Sequence, residues 1–166
     1  MRYVNPDANF SYIKKVAVLP FNNMSGDRFA GEKVRSAVMI DLLSRGAFDI
    51  LEQGEVSKTI SLVMRAAGVA EGTVLEPDKE TLKLLGEKLG VQAIVIGSVE
   101  EYEGLGGGVI VSISTRMLDT SSGIILWQAH SSVSGASVWR RILGVEETDK
   151  TFLTRKVVRK IIDTLL

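Results

Sequence analysis

Two long segments in which apolar and polar residues alternate constrain the fold most strongly. Residues 109–117 and 125–133 place apolar side chains at four of five alternate positions each, the period of a β-strand with one buried face. The segment DTSSG between them, residues 119–123, supplies turn residues and a glycine that can adopt a left-handed backbone. The sequence therefore predicts an antiparallel hairpin in which one face of the second strand carries Ile125, Trp127, Ala129 and Val133.

The residues that precede the hairpin predict strands alternating with helices. Residues 16–19 and 93–99 are continuous apolar runs, typical of strands covered on both faces, and residues 48–52 predict another short strand. Apolar periodicity and end signals predict helices over residues 29–45, 56–67, 77–89 and 149–166. The order β-α-β-α-α-β-β-β-α predicts an α/β sandwich, with a mixed sheet and flanking helices.

The first of these helices has an unusual pattern. Residues 38–43, VMIDLL, are apolar on almost every side of a helical projection. A helix that is apolar all round is normally buried, so we expect this one to lie well inside the fold. Gly46 is placed to end it.

The N-terminal residues differ from the rest of the chain. Residues 1–14 contain Asn5-Pro6 and show no helical period. We expect them to form an extended arm, followed by a single α/β domain over residues 15–166. No stretch approaches the roughly 18 apolar residues that span a bilayer.

Composition excludes several kinds of site. The chain has 20 Lys and Arg residues and 20 Asp and Glu residues, so no net charge favours nucleic acid as a partner. It has no cysteine among its 166 residues, which rules out disulfides, thiolate zinc sites and a cysteine nucleophile within this sequence.

The segment at residues 22–33, NNMSGDRFAGEK, has the outline of a phosphate-binding loop. Gly26 and Gly31 have the four-residue gap of that motif. Glu32 stands where the lysine belongs, however, Lys33 comes one position late, and Val34 offers no hydroxyl for magnesium. We therefore expect this segment to turn a corner and cap the following helix, and no cofactor is predicted.

Two polar features of the strands could support chemistry. His130 is the only histidine, and the alternation places it on the face opposite Trp127, where it cannot complete a catalytic dyad alone. Glu100, Glu101 and Glu103 could ligate a cation. Carboxylates that are close in sequence alternate faces on a strand, so we expect these three to be solvated instead, and no metal site is predicted.

A segment between the hairpin and the last helix is the predicted partner-binding site. Tryptophan and arginine are enriched at binding hot spots. The segment's residues are Trp139, Arg140, Arg141, Ile142 and Leu143. The alternative is that its apolar residues close over the hairpin as a short helix.

Five motifs in order resemble a known family. The stretches VAVLPFNNMSGD, AGEKV, GAFDILEQ, LGVQAIVIGSVEEY and RMLDTSSGIILW fall within residues 16–133. They resemble the envelope family that includes the curli-export lipoprotein CsgG, the lipoprotein LpoB, which activates penicillin-binding proteins, and the N-terminal domain of TolB. This similarity supports a CsgG-like or TolB-N-like sandwich.

The resemblance implies a non-catalytic periplasmic domain tethered to the outer membrane, with a signal peptide and a lipid-bearing cysteine upstream of Arg2. The implied partners are other envelope proteins, or copies of the chain itself. The extra amphipathic hairpins with which CsgG builds a pore have no counterpart in this sequence, because the insertion at residues 104–108 is too short.

Three hypotheses of function follow from these observations. The first is an interaction or assembly module of the cell envelope. The second is a protein that binds a nucleotide or another small molecule through residues 22–33. The third is an oligomeric accessory component of a secretion channel.

Overall fold

The two alternating segments pair as an antiparallel hairpin within a seven-stranded mixed sheet. The computed structural model describes residues 1–70, 76–102, 109–135 and 149–166. The strands are β1 (Arg2–Val4), β2 (Lys15–Val18), β3 (Asn22–Asn23), β4 (Asp49–Ile50), β5 (Ala93–Glu101), β6 (Ile110–Asp119) and β7 (Ile125–Ser134). The helices are α1 (Ala30–Arg45), α2 (Gln53–Ala66), α3 (Lys79–Leu89) and α4 (Lys150–Ile162), and a 3-10 turn spans Phe10–Tyr12.

The strand order is β1-β7-β6-β5-β2-β4, and β3 pairs with β5. β2 lies parallel to β4 and β5, while each neighbouring pair in the series β5-β6-β7-β1 is antiparallel. Leaving aside the short β1 and β3, the element order is the predicted one, and the predicted α/β fold with a mixed sheet is confirmed.

Helices cover both faces of the sheet, but unequally. α1 and α4 pack on one face, where they bury Val38, Leu42 and Val157 against Met117 and Trp127. On the other face α2 and α3 contribute a smaller cluster that contains residues of β2 and β5. Beyond that cluster, the same face of β5, β6 and β7 carries polar side chains. Successive side chains of a strand point to opposite faces, and in this part of the strands most of the apolar ones point to α1 and α4 while most of the polar ones point away from them.

A β-bulge changes the predicted face of one residue. Met117 pairs with Trp127 and Leu118 pairs with Ile125, so Leu126 is the extra residue on β7. Leu126 packs with Trp127 in the larger core cluster, whereas Ile125 packs against the smaller one. The prediction that Ile125 shares the face of Trp127 is therefore wrong, because the bulge shifts the alternation by one position.

The N-terminal segment contacts the sheet. β1 pairs with β7, with Arg2 opposite Ala129, and Ile13 is 2% exposed in the core. The hydroxyl of Tyr12 donates a hydrogen bond to Asp119 at the hairpin turn. The sequence predicted an extended arm here. Residues 2–4 are extended and pair with β7 as an edge strand. Their side chains are all exposed, so this strand has no alternation of apolar and polar residues by which the sequence could indicate it.

Helix α1 is less buried than its pattern predicted. Its inner face packs on the sheet through Val34, Val38 and Leu42, which are fully buried. Ile40 and Leu43 lie on the outer face and are 66% and 54% exposed. The prediction of a well-buried helix is wrong for this side, because α1 is in the outermost layer and no described element covers it.

Candidate functional site

Side chains of the loop at residues 22–33 form hydrogen bonds with other groups of the same loop. The carboxamide oxygen of Asn23 accepts bonds from the backbone N–H and the hydroxyl of Ser25, at 3.1 and 2.7 Å. The carboxylate of Asp27 accepts a bond from the backbone N–H of Phe29, which lowers the pKa of Asp27. These N–H groups, which a phosphate loop would present to its ligand, are therefore already bonded.

Gly31 and Lys33 have structural partners as well. A Cβ on Gly31 would lie 3.0 Å from the carbonyl oxygen of Phe21, so this glycine allows α1 to approach the strand end closely. The ammonium of Lys33 lies 3.2 Å from Asp27. This geometry supports the prediction that the loop turns a corner. The prediction that the loop caps α1 is wrong, because the N-cap residue Phe29 makes no side-chain cap bond.

The polar face of the hairpin brings four side chains together beside the end of β5. The Ser114 hydroxyl donates to Glu100 at 2.6 Å and lies 3.1 Å from Nδ1 of His130. The Ser112 hydroxyl donates to the other carboxylate oxygen of Glu100 at 3.2 Å. Sequence reasoning considered Glu100 and His130 separately and missed both serines, although the hairpin register places Ser114 directly opposite His130.

This cluster does not have the geometry of a nucleophilic triad. In a triad the histidine lies between serine and carboxylate and uses a different ring nitrogen for each. Here Ser114 and Glu100 both approach Nδ1, at 3.1 and 3.6 Å, and the serine proton is donated to the carboxylate. The cluster is a cross-strand hydrogen-bond network on an open sheet face.

Arg35 is the most buried charged residue of the described chain, at 1% exposed. Its Nε and one terminal nitrogen donate to the carbonyl oxygen of Val18, at 3.0 and 2.8 Å, and the other terminal nitrogen donates to Ser57 at 3.2 Å. Burial lowers the pKa of Arg35, while the nearby charges of Glu32 and Glu52 act in the opposite direction. Arg35 thus joins α1, β2 and α2.

The outer side of α1 forms an apolar ridge between two recesses. We define the α1 ridge as Ser36, Ile40 and Leu43, which lie on one side of the helix at spacings of four and three residues. A recess of about 490 Å³ separates the ridge from α4 and is lined by Ala37, Val158 and other residues of both helices. A second recess, of about 320 Å³, lies between the ridge and the start of α2. Ser36 and Ile40 line both recesses.

The two recesses differ in charge. Arg155 and Arg159 of α4 line the first, and neither has an ion-pair partner among the described residues. The one acid of the described chain that lines this recess, Asp41, is paired with Arg45 at 2.8 Å. Glu52 and Gln53 line the second, and the Gln53 amide donates to Glu32 at 2.5 Å. The α1 ridge therefore has a basic flank on one side and an acidic flank on the other.

Two sets of residues named in the sequence analysis fall outside the ranges that the structure describes. Glu103 and the predicted partner-binding residues Trp139, Arg140, Arg141, Ile142 and Leu143 lie outside the described residues. Within the described part of the chain, no group of three or more acidic or histidine side chains could hold a metal ion. No helix in those same ranges has both the length and the apolar character of a membrane span.

Similarity to known proteins was found among solved structures. No protein-family model matches the sequence, and the comparison with curated proteins found no match. A PelC dodecamer from Paraburkholderia phytofirmans has a TM-score of 0.66 at 17% identity, covering 99% of this chain and 96% of that one. Lipoprotein GNA1162 from Neisseria meningitidis has a TM-score of 0.61 at 20% identity, covering 90% and 99%.

The predicted likeness to LpoB is confirmed at the level of the fold. The LpoB C-terminal domain from Salmonella enterica has a TM-score of 0.53 at 14% identity, covering 72% of this chain and 82% of that one. At these identities the comparisons establish a common architecture. The chain has the α/β fold of these three solved bacterial structures.

Proposed function

We propose that this chain is a non-catalytic interaction module of the bacterial cell envelope, held at the outer membrane on its periplasmic side by a lipid attached upstream of residue 1. The sequence motifs that resemble CsgG, LpoB and the N-terminal domain of TolB support this placement. So does the fold, which is that of a structure described as a lipoprotein and of structures described as dodecamers.

The observation that carries the proposal is the exposed α1 ridge. Ile40 and Leu43 keep 66% and 54% of their surface in contact with solvent, on a helix whose other face is fully buried. The recesses on both sides of Ile40 are depressions into which the side chains of a partner can fit. Ile40 and Leu43 lie three residues apart on the same side of α1, and large apolar side chains exposed next to each other are typical of protein contact sites.

The polar groups of the described chain support the same conclusion. The Glu100, Ser114 and His130 network lacks a triad's geometry, and side chains of the loop at residues 22–33 bond two of the loop's backbone N–H groups. The surface therefore offers shape and apolar area more readily than reactive groups.

Site-specific photo-crosslinking in the source bacterium tests the proposal. A benzophenone amino acid replaces Ile40 on the α1 ridge or, as a matched control, Leu62 on α2, which is 55% exposed. We expect irradiation to produce adducts at position 40, identified by mass spectrometry as envelope proteins or as a second copy, and few adducts at position 62. Equal yields at the two positions, or adducts only with cytoplasmic proteins, would refute the proposal.

A further inference from the structure

The charges beside the α1 ridge identify the partner that fits it, given the interaction function proposed above. We infer that the ridge binds a second copy of this chain, with the two α1 helices side by side and parallel. The basic flank of each copy then faces the acidic flank of the other.

The first argument is that α4 is a basic helix whose charges point outward. Its sequence, KTFLTRKVVRKII, contains no acidic residue. Arg155, Lys156, Arg159 and Lys160 are exposed, and no ion pair within the described ranges joins them to an acid. Arg155 and Arg159 stand at the edge of the recess beside Ile40. A partner surface that covers the ridge must therefore bring acidic groups to this side.

The second argument is that the opposite flank supplies such groups. Glu32 and Glu52 lie there, and Glu55 follows in the first turn of α2. Arg35 offsets part of this charge, but it is buried beneath the surface and its donors are directed to Val18 and Ser57. The chain has 20 cationic and 20 acidic residues, so two copies meet without a net repulsion.

The third argument is that the basic and acidic groups of the two flanks lie at the same level along the axis of α1. α4 runs parallel to α1, because Lys150 contacts Asp27 near the first turn of α1 and Asp163 contacts Arg45 at its end. Arg155 and Arg159 on one side, and Glu52 on the other, each line a recess that contains Ser36 and Ile40, so they lie at the level of the same part of the ridge.

Geometry then selects the orientation of the pair. A two-fold axis parallel to the axis of α1 leaves each group's position along the helix unchanged and turns the second copy to face the first. The basic flank of each copy then lies opposite the acidic flank of the other, at the same level along the helix. Antiparallel α1 helices would instead place basic groups on basic groups. Ile40 of each copy lies near the axis, where the apolar ridges meet.

Charge reversal on each flank, followed by mixing, tests the inference. One variant carries Arg155→Glu and Arg159→Glu. The other carries Glu32→Lys, which reverses a charge, and Gln53→Lys, which adds a positive charge to the acidic flank. Glu52 is retained because it caps α2 through the backbone N–H groups of Gly54 and Glu55. Sedimentation velocity at low salt measures association of each variant, of their equimolar mixture and of the wild-type domain.

We expect the wild-type domain to self-associate and each variant alone to associate at least about 30-fold more weakly, because like charges then face each other. The mixture should regain most of the association, since each reversed flank meets its complement. Thermal unfolding of both variants should stay close to that of the wild type. For a variant that does not fold, its neutral form (Arg155→Gln with Arg159→Gln, or Glu32→Gln alone) should weaken association by about 5-fold.

A wild-type domain that remains monomeric at high concentration would overturn the inference, as would reversal variants that associate normally or a mixture that does not recover. If position 40 nevertheless crosslinks to other envelope proteins, the proposed function stands and only the choice of a second copy fails.

Discussion

At the scale of single residues, Arg35 shows how a charge can be buried in this fold without a contacting carboxylate. Its guanidinium is bonded to a strand carbonyl and a helix hydroxyl, the oxygens of Val18 and Ser57. A buried donor set of this kind fixes the position of α1 over β2 and therefore the position of the α1 ridge.

Replacing Arg35 by alanine should be strongly destabilising. The change leaves a cavity and an unbonded buried carbonyl at Val18, so we expect a loss of about 3 kcal/mol in the free energy of unfolding. Arg35→Met keeps most of the volume and removes a desolvated charge, so its loss should be about half as large. Urea unfolding measures both; an alanine variant within about 0.5 kcal/mol of the wild type would contradict this role.

Residue-level patterns were only partly readable in the sequence. That Asn23 and Asp27 form turns follows from residue type, and their side chains accept bonds from backbone N–H groups two residues on. The predicted cap of α1 is absent, because Phe29 stands at the N-cap position and makes no side-chain cap bond. The sequence did not indicate that Arg35 is buried, because an arginine among apolar residues normally points to solvent. The pairing of Ser114 with His130 required the register of the hairpin.

At the scale of elements, the hairpin turn is fastened to the N-terminal segment through one carboxylate. Asp119 accepts bonds from the backbone N–H groups and hydroxyls of Ser121 and Ser122, and from the hydroxyl of Tyr12. These donors outweigh the effect of burial and lower the pKa of Asp119 to about 2. Burial and the Asp119 contact raise the pKa of Tyr12 to about 12.

This contact predicts a stability change at low pH. A carboxyl with a depressed folded-state pKa stabilises the fold above its unfolded pKa, and that contribution is lost as the pH falls through the folded value. The wild type should therefore be more stable than Asp119→Asn at pH 7, and the difference should shrink between pH 3.8 and about 2. Chemical unfolding of both proteins across that range measures it; a difference independent of pH would contradict the assignment.

The sequence predicted long elements well and short ones poorly. The hairpin, α2 and α3 carry clear periods, and Gly46 and Gly123 have the left-handed backbone expected of them. β1 and β3 have three and two residues, too few for a period. For α1, composition indicated an apolar helix but could not tell which apolar side would face solvent instead of the core.

At the scale of the whole molecule, the layers leave distinct surfaces exposed. One face of the sheet is covered by α1 and α4, whose outer surface is the α1 ridge with its basic and acidic flanks. The other is covered by α2 and α3 over part of its width and carries the Glu100, Ser114 and His130 network beyond them. A module built in this way can hold one partner through the ridge and leave its hairpin face free.

Thiol accessibility in intact envelopes tests the central claim, that the α1 ridge is covered by protein in the cell. The sequence contains no cysteine, so Ile40→Cys and Leu62→Cys each introduce a single free thiol. In the dilute purified domain, both thiols should react with a polar maleimide at similar rates, since the two native side chains are 66% and 55% exposed. In intact envelopes, the thiol at position 40 should be protected by at least about 10-fold relative to that at position 62, because a packed interface excludes the reagent. Equal labelling of the two positions in the envelope would contradict the claim.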